Sequence, residues 1–175
     1  MKLKNKHPIY YQKQDYAGFW KRLGAWIVDL LVIIACIAVY WYVVYHIVND
    51  PIMMFKIIFF TSLLFMYVYL AVIKSSNFRT IGYNLFGIKV VDLLGNSPNW
   101  STMLIRFLLI FIGPFTFIID ILWLTGEQTK QTLRDKYAGT YVVKNTSIPK
   151  GTGLLRTVSL HFMGWNLSFK EVYFK

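Results

Sequence analysis

Residues 16–36, YAGFWKRLGAWIVDLLVIIAC, form an apolar run that carries cations only at its mouth and a single carboxylate well inside. In a helix turning about 100° per residue, Gly18, Arg22, Ala25, Asp29, Val32 and Cys36 fall within roughly 40° of one line. That stripe is narrow, small and charged, whereas Trp20, Trp26, Leu30 and Ile33 lie off it. A helix of this kind placed in lipid turns the stripe toward protein. Arg22 and Asp29 are two turns apart, about 10 Å along the axis, which is too far for a direct ion pair. Each therefore needs a partner from another segment.

Further apolar blocks follow. Residues 23–48 contain one acidic group, Asp29, and one histidine, His46; residues 57–73 contain no charge; residues 107–124 contain only Asp120. With 56% hydrophobic residues against 15% charged, the chain has too few charges to cover a soluble globule. The first block is long enough to span a bilayer, and the second becomes so if Lys56 snorkels to the interface. No cleavable signal is expected, because the early lysines lie far from the apolar run and no small-x-small site follows a short apolar region. The first span is read as a signal-anchor.

The formal net charge of +11 is distributed as an orientation signal. Lys2, Lys4, Lys6, Lys13, Lys21 and Arg22 precede the first span, and no cation lies in the turn Asn49, Asp50, Pro51. This bias places the N-terminus inside and draws it to anionic lipid. No recognition motif accompanies the charge, so nucleic acid is not an expected partner. Cys36 is the lone cysteine and His7, His46 and His161 are scattered, so neither a disulfide framework nor a metal site is expected. No nucleophile elbow, phosphate-cradling loop or HExxH is present, and neither an enzyme nor a cofactor is expected.

Two expected helices, about 23–48 and 52–73, make a transmembrane hairpin that ends at Lys74, Ser75, Ser76 and Asn77. Tyr40, Trp41, Tyr42 and Tyr45 suit the outer interface. Two strand-like runs, Leu85 to Val91 between the membrane blocks and Gly139 to Lys144 after the last of them, accompany these spans, with Gly82 and Gly87 read as turn and bulge residues. Their unpaired backbone groups near lipid require a mate, so they are expected to pair as a short cytoplasmic two-stranded sheet. If both lie inside, the third apolar segment, about 103–124 and broken near Pro114, re-enters the side it left. The alternative is one continuous helix kinked at Pro114 with the tail outside. The organisation expected is a basic cytoplasmic N-terminal segment (1–15), a membrane domain (16–145) and a tail of unknown role (146–175).

Three separated pieces, YAGFWKRLGAWIVDLL, RTIGYNLFGIKVVDLLGN followed by Arg106, and QTLRDKYAGTYVVK, together make the chain resemble the RDD family of small bacterial integral membrane proteins. In that resemblance Arg22 and Asp29 stand at the family's first arginine and first aspartate, Arg106 at the later arginine and Asp135 at the second aspartate. Tyr83 stands where many members carry lysine, and Arg134 replaces a common histidine. Some members are described as sodium/proton antiporters. The resemblance therefore implies a monovalent cation/proton antiporter or transport component, homo-oligomeric because so few helices hardly enclose a path. The alternative is a non-transporting scaffold or accessory subunit.

Asp29, Arg22, Arg106, Asp120 and Asp135 are the candidate ion- or proton-binding and intramembrane charge network. A charge inside a span costs about 2.5–3.5 kcal/mol, so Asp29 is expected to be paired or functional. One expectation gives Asp29 a second carboxylate, Asp120 or Asp135, as partner in moving an ion or proton. The other pairs it with Arg106 or Arg22 as a packing lock. Asp135 is expected to cap the segment before the second strand, or to meet Arg22. Asp120 is expected near the inner surface, or else as a second membrane carboxylate.

Overall fold

A computed structural model of the protein describes residues 7–109, 129–162 and 165–173. Two long helices dominate it: α1 (Phe19–Ile47) and α2 (Pro51–Tyr67), the latter continuing as a π-helical segment (Val68–Ile73). Asp50 caps α2 by accepting from the Ile52 amide at 3.0 Å, and Pro51 fills the first helical position, where no donor is needed. The helices run antiparallel: Tyr69 meets Asp29 at one end of the pair and Thr61 bonds the Tyr40 hydroxyl at 2.9 Å farther along.

Both helices are apolar on the outside. In each, only 17% of the most apolar stretch is buried, so neither is the core helix of a soluble fold. Leu31, Ile34, Phe60 and Leu64 are exposed, while Ala25 and Asp29 face inward. The small, charged stripe of α1 thus turns toward protein in its first half. Its continuation does not hold, since Cys36 is exposed and Ile33, expected off the stripe, is buried. Ile33 follows Asp29 by one turn and shares its face.

The remaining elements gather at the N-terminal end of α1. They are α3 (Ile81–Leu85), β2 (Ile88–Asp92), α4 (Trp100–Leu108), α5 (Leu133–Ala138) and β3 (Thr140–Lys144). β2 and β3 pair antiparallel, with Val90 opposite Val142 and Asp92 opposite Thr140, the pairing that their β-branched runs predict. The break near Pro114 and Asp120 lie outside the described residues; of the third apolar segment, α4 covers the beginning.

Segments flanking this sheet pair as well. Ile9–Tyr10 (β1) pairs with Gly151–Thr152 (β4), Tyr16 bridges to Val143, and the Ala17 amide donates to the Val142 carbonyl at 2.9 Å. Ile9, Tyr11 and Tyr16 are buried with Val91, Leu93 and Tyr141, so the N-terminal segment is tied down from Ile9 onward by burial of its apolar side chains. Tyr11, Tyr16 and Tyr141 meet edge to face, with centroids 5.4–6.5 Å apart. Burial pushes the Tyr11 and Tyr16 phenols up to about 12. The tail forms an antiparallel ribbon, β5 (Leu154–Phe162) with β6 (Trp165–Tyr173), which rests on α5 through Lys136 and Glu171, 3.4 Å apart.

Candidate functional site

Among the described residues, the candidate charges expected from the sequence fall in two separate sites. The first is built around Asp135 in the first turn of α5. Thr132 and Asp135 make a reciprocal cap: the Thr132 hydroxyl accepts from the Asp135 amide at 3.1 Å, and the Asp135 carboxylate accepts from the Thr132 amide at 3.2 Å. The expected cap is therefore present, and the meeting with Arg22 is present as well. Arg22 donates to one carboxylate oxygen, and Arg106 Nη1 lies 2.6 Å from the other.

Both guanidinium groups are further committed. Arg22 donates through Nε to the Ala17 carbonyl at 2.9 Å and through Nη2 to the Lys130 carbonyl at 2.6 Å. Arg106 donates to the Thr140 hydroxyl. Asp135 is fully buried, and its carboxylate joins α1, α4 and α5, with Arg106 carrying the link on to Thr140 of β3. Burial alone raises its pKa, but the Arg106 and Arg22 charges outweigh that effect and hold it well below the usual carboxylate range.

The second site is built around Asp29. Its Oδ2 accepts from the Thr80 hydroxyl at 2.8 Å; its Oδ1 accepts from the Gly82 amide at 2.8 Å and from the Tyr69 hydroxyl at 3.2 Å. Thr80 is the N-cap of α3, and Gly82 lets that helix lie directly on α1: a Cβ there would come within 2.1 Å of the Ala25 carbonyl oxygen and 2.8 Å of Asp29 Oδ1. Tyr69 comes from the π-helical segment, where the wider turn breaks the α-helical register opposite Asp29. Its hydroxyl also accepts from the Ile81 amide at 3.3 Å.

The cation of this second site is Lys74, neither Arg22 nor Arg106. Lys74 Nζ lies 3.9 Å from Asp29 Oδ2 and 4.1 Å from the centroid of the Tyr83 ring. The tyrosine that replaces lysine in the resemblance is thus the surface on which a different lysine rests. The pairing of Asp29 with Arg22 or Arg106, and the pairing of Asp29 with Asp135, are both corrected: the two arginines are drawn to Asp135, which belongs to the other site. Asp120 lies outside the described residues.

Sequence reasoning missed Tyr69, Lys74, Thr80 and Gly82 as partners of Asp29. Thr80 and Gly82 were legible as turn chemistry ahead of a strand, and Lys74 as the polar stop of a span. Nothing in the local pattern aims any of them at a carboxylate some 40 to 50 residues earlier. Among the described residues, no group of three or more His, Cys, Asp or Glu is placed to hold a metal ion.

Long helices with apolar exteriors and an inward, hydrogen-bonded carboxylate define an integral membrane protein. The chain belongs to the RDD family, whose model matches residues 16–139. It is similar to the uncharacterized protein YckC of Bacillus subtilis (strain 168), 27% identical over 136 residues, covering 74% of this chain and 85% of that one. It is also similar to the uncharacterized membrane protein YteJ of the same organism, 30% identical over 138 residues, covering 73% of this chain and 80% of that one. No solved structure matches the chain significantly.

Proposed function

We propose that the protein is a multi-pass component of the bacterial cytoplasmic membrane, with its N-terminus inside, that exchanges a proton and a monovalent cation at Asp29. The observation that carries this reading is the looseness of one contact. Thr80, Gly82 and Tyr69 hold the carboxylate at 2.8–3.2 Å, while Lys74, the only cation beside it among the described residues, stands off at 3.9 Å with the Tyr83 ring as a second resting place. A charge so placed acts as an internal substitute for a mobile cation. When Lys74 withdraws onto the ring, the carboxylate and the Thr80 and Tyr69 hydroxyl oxygens offer hard ligands to sodium or a site for a proton.

The orientation rests on the cations ahead of α1 and their absence from the turn at Asn49, Asp50 and Pro51. The pairing of Asp92 with Thr140 supports a third apolar segment that returns to the side it left. A pore of so few helices is completed by a second copy of the chain. Inverted vesicles test the reading: sodium-driven proton movement is expected in the wild type and lost in Asp29→Asn at equal expression. Unchanged flux in that variant ends the assignment.

A second reading, a non-transporting scaffold or accessory subunit, is favoured by the Arg22–Asp135–Arg106 cluster, in which every charge is committed to joining elements. Folded wild-type protein that moves no cation in the same vesicles selects it.

A further inference from the structure

We propose that α3 lies in the boundary between lipid headgroups and acyl chains, with Phe78, Ile81 and Leu85 against lipid and Trp20 beside them. The inference stands apart from exchange at Asp29 and concerns the surface on the far side of that site. The two sides of α3 are unlike. Gly82 and Tyr83 are buried, and Gly82 presses on the α1 backbone. Ile81 and Leu85, one turn apart on the other side, are 54% and 70% exposed, and Phe78 just ahead of them is 85% exposed. A patch of this kind is costly in water.

Its height along α1 is set by contacts. Gly82 meets α1 at Ala25 and Asp29, and the Phe86 ring crowds Gly24, so α3 runs alongside the stretch of α1 from Gly24 to Asp29. α1 has 29 residues and is about 43 Å long, against a hydrocarbon layer of about 30 Å. Some 13 Å of it therefore stands in the interfaces. Tyr40, Trp41, Tyr42 and Tyr45 mark one end, and Trp20, 78% exposed, marks the other. Trp20 precedes Gly24 by one turn and so shares the α1 face on which the Phe86 ring rests.

The flanking charges fit the same occupant. Lys21 is exposed beside Trp20, and Arg79 stands at the start of α3 in a left-handed conformation with φ 54°. The Lys21 ammonium beside Trp20 matches the phosphates above the acyl chains. Asp29 then lies about 9 Å inside the near edge of the hydrocarbon layer, between that edge and the bilayer centre.

Spin labels test this in the full chain, in a Cys36→Ser background that removes the one native thiol. Ile81→Cys and Leu85→Cys are labelled and reconstituted in vesicles of phosphatidylcholine and phosphatidylglycerol. Collision with oxygen is compared with collision with a water-soluble nickel chelate. Ile34→Cys serves as the hydrocarbon reference and Lys13→Cys as the aqueous one. The oxygen-to-nickel ratio at Ile81 and Leu85 is expected several-fold above that of Lys13 and below that of Ile34. A ratio equal to that of Lys13 overturns the proposal, as does an immobilised label shielded from both reagents, which signals a protein partner. Phe78→Cys, outside the helix itself, supplies the same readout if either α3 variant fails to insert.

Discussion

Arg22 and Asp29 stand two turns apart on one face of α1 and share no partner among the described residues: Arg22 is bound to Asp135, and Asp29 to Thr80, Gly82 and Tyr69. Arg22, Asp29 and Asp135 therefore serve two sites at different heights of α1. The Asp135 site has every charge close and committed. Among the described residues, the cation nearest Asp29 is Lys74, which stands off at 3.9 Å, and the proposed exchange rests on that difference.

Asp135→Ala leaves two buried guanidinium groups without their carboxylate. Removing one partner of a buried ion pair costs about 3–5 kcal/mol. Thermal unfolding in detergent is expected to show a midpoint lowered by many degrees, and an unchanged midpoint contradicts the clamp.

Acid acts on the same residue. The folded state holds the Asp135 carboxyl below its unfolded value of about 3.9, so the stabilisation is fully present above that pH and is lost as pH falls through the depressed folded value. Wild-type stability is expected to decline progressively below about pH 4. In Asp135→Asn, which is weaker at neutrality, that part of the acid dependence is expected to disappear when unfolding is followed across the same pH range.

Gly82→Ala inserts a methyl group where the α1 backbone already lies, 2.1 Å from the Ala25 carbonyl oxygen. Overpacking of this kind costs about 1–3 kcal/mol. α3 is expected to shift away from Asp29 and weaken the Gly82 amide contact, seen as faster hydrogen exchange at the Gly82-equivalent amide and its neighbours. Protection equal to the wild type rejects the close approach.

Lys74→Gln removes the internal competitor while leaving the three close donors to Asp29 in place. Under the exchange reading, half-saturation by sodium is expected to fall several-fold together with turnover, because the cation binds more tightly and leaves more slowly. An unchanged sodium dependence in vesicle flux shows that Lys74 does not compete at the site.

The apolar blocks, the inward turn of Ala25 and Asp29, the mating of the Ile88–Asp92 and Thr140–Lys144 strands and the family itself were all legible in the residues, because helical and strand periodicity, span length and motif order are local properties of the chain. The partners of each charge were decided by the tertiary structure alone. Spacing along α1 sets the angle and height of Arg22 and Asp29, but their partners arrive from segments some 40 to 110 residues away, brought in by a π-helical turn, a glycine that admits close contact and the cap of a short helix. The pairing of β1 with β4 has the same cause: strands as short as Ile9–Tyr10 and Gly151–Thr152 carry no periodicity, and only the core they cover makes them form.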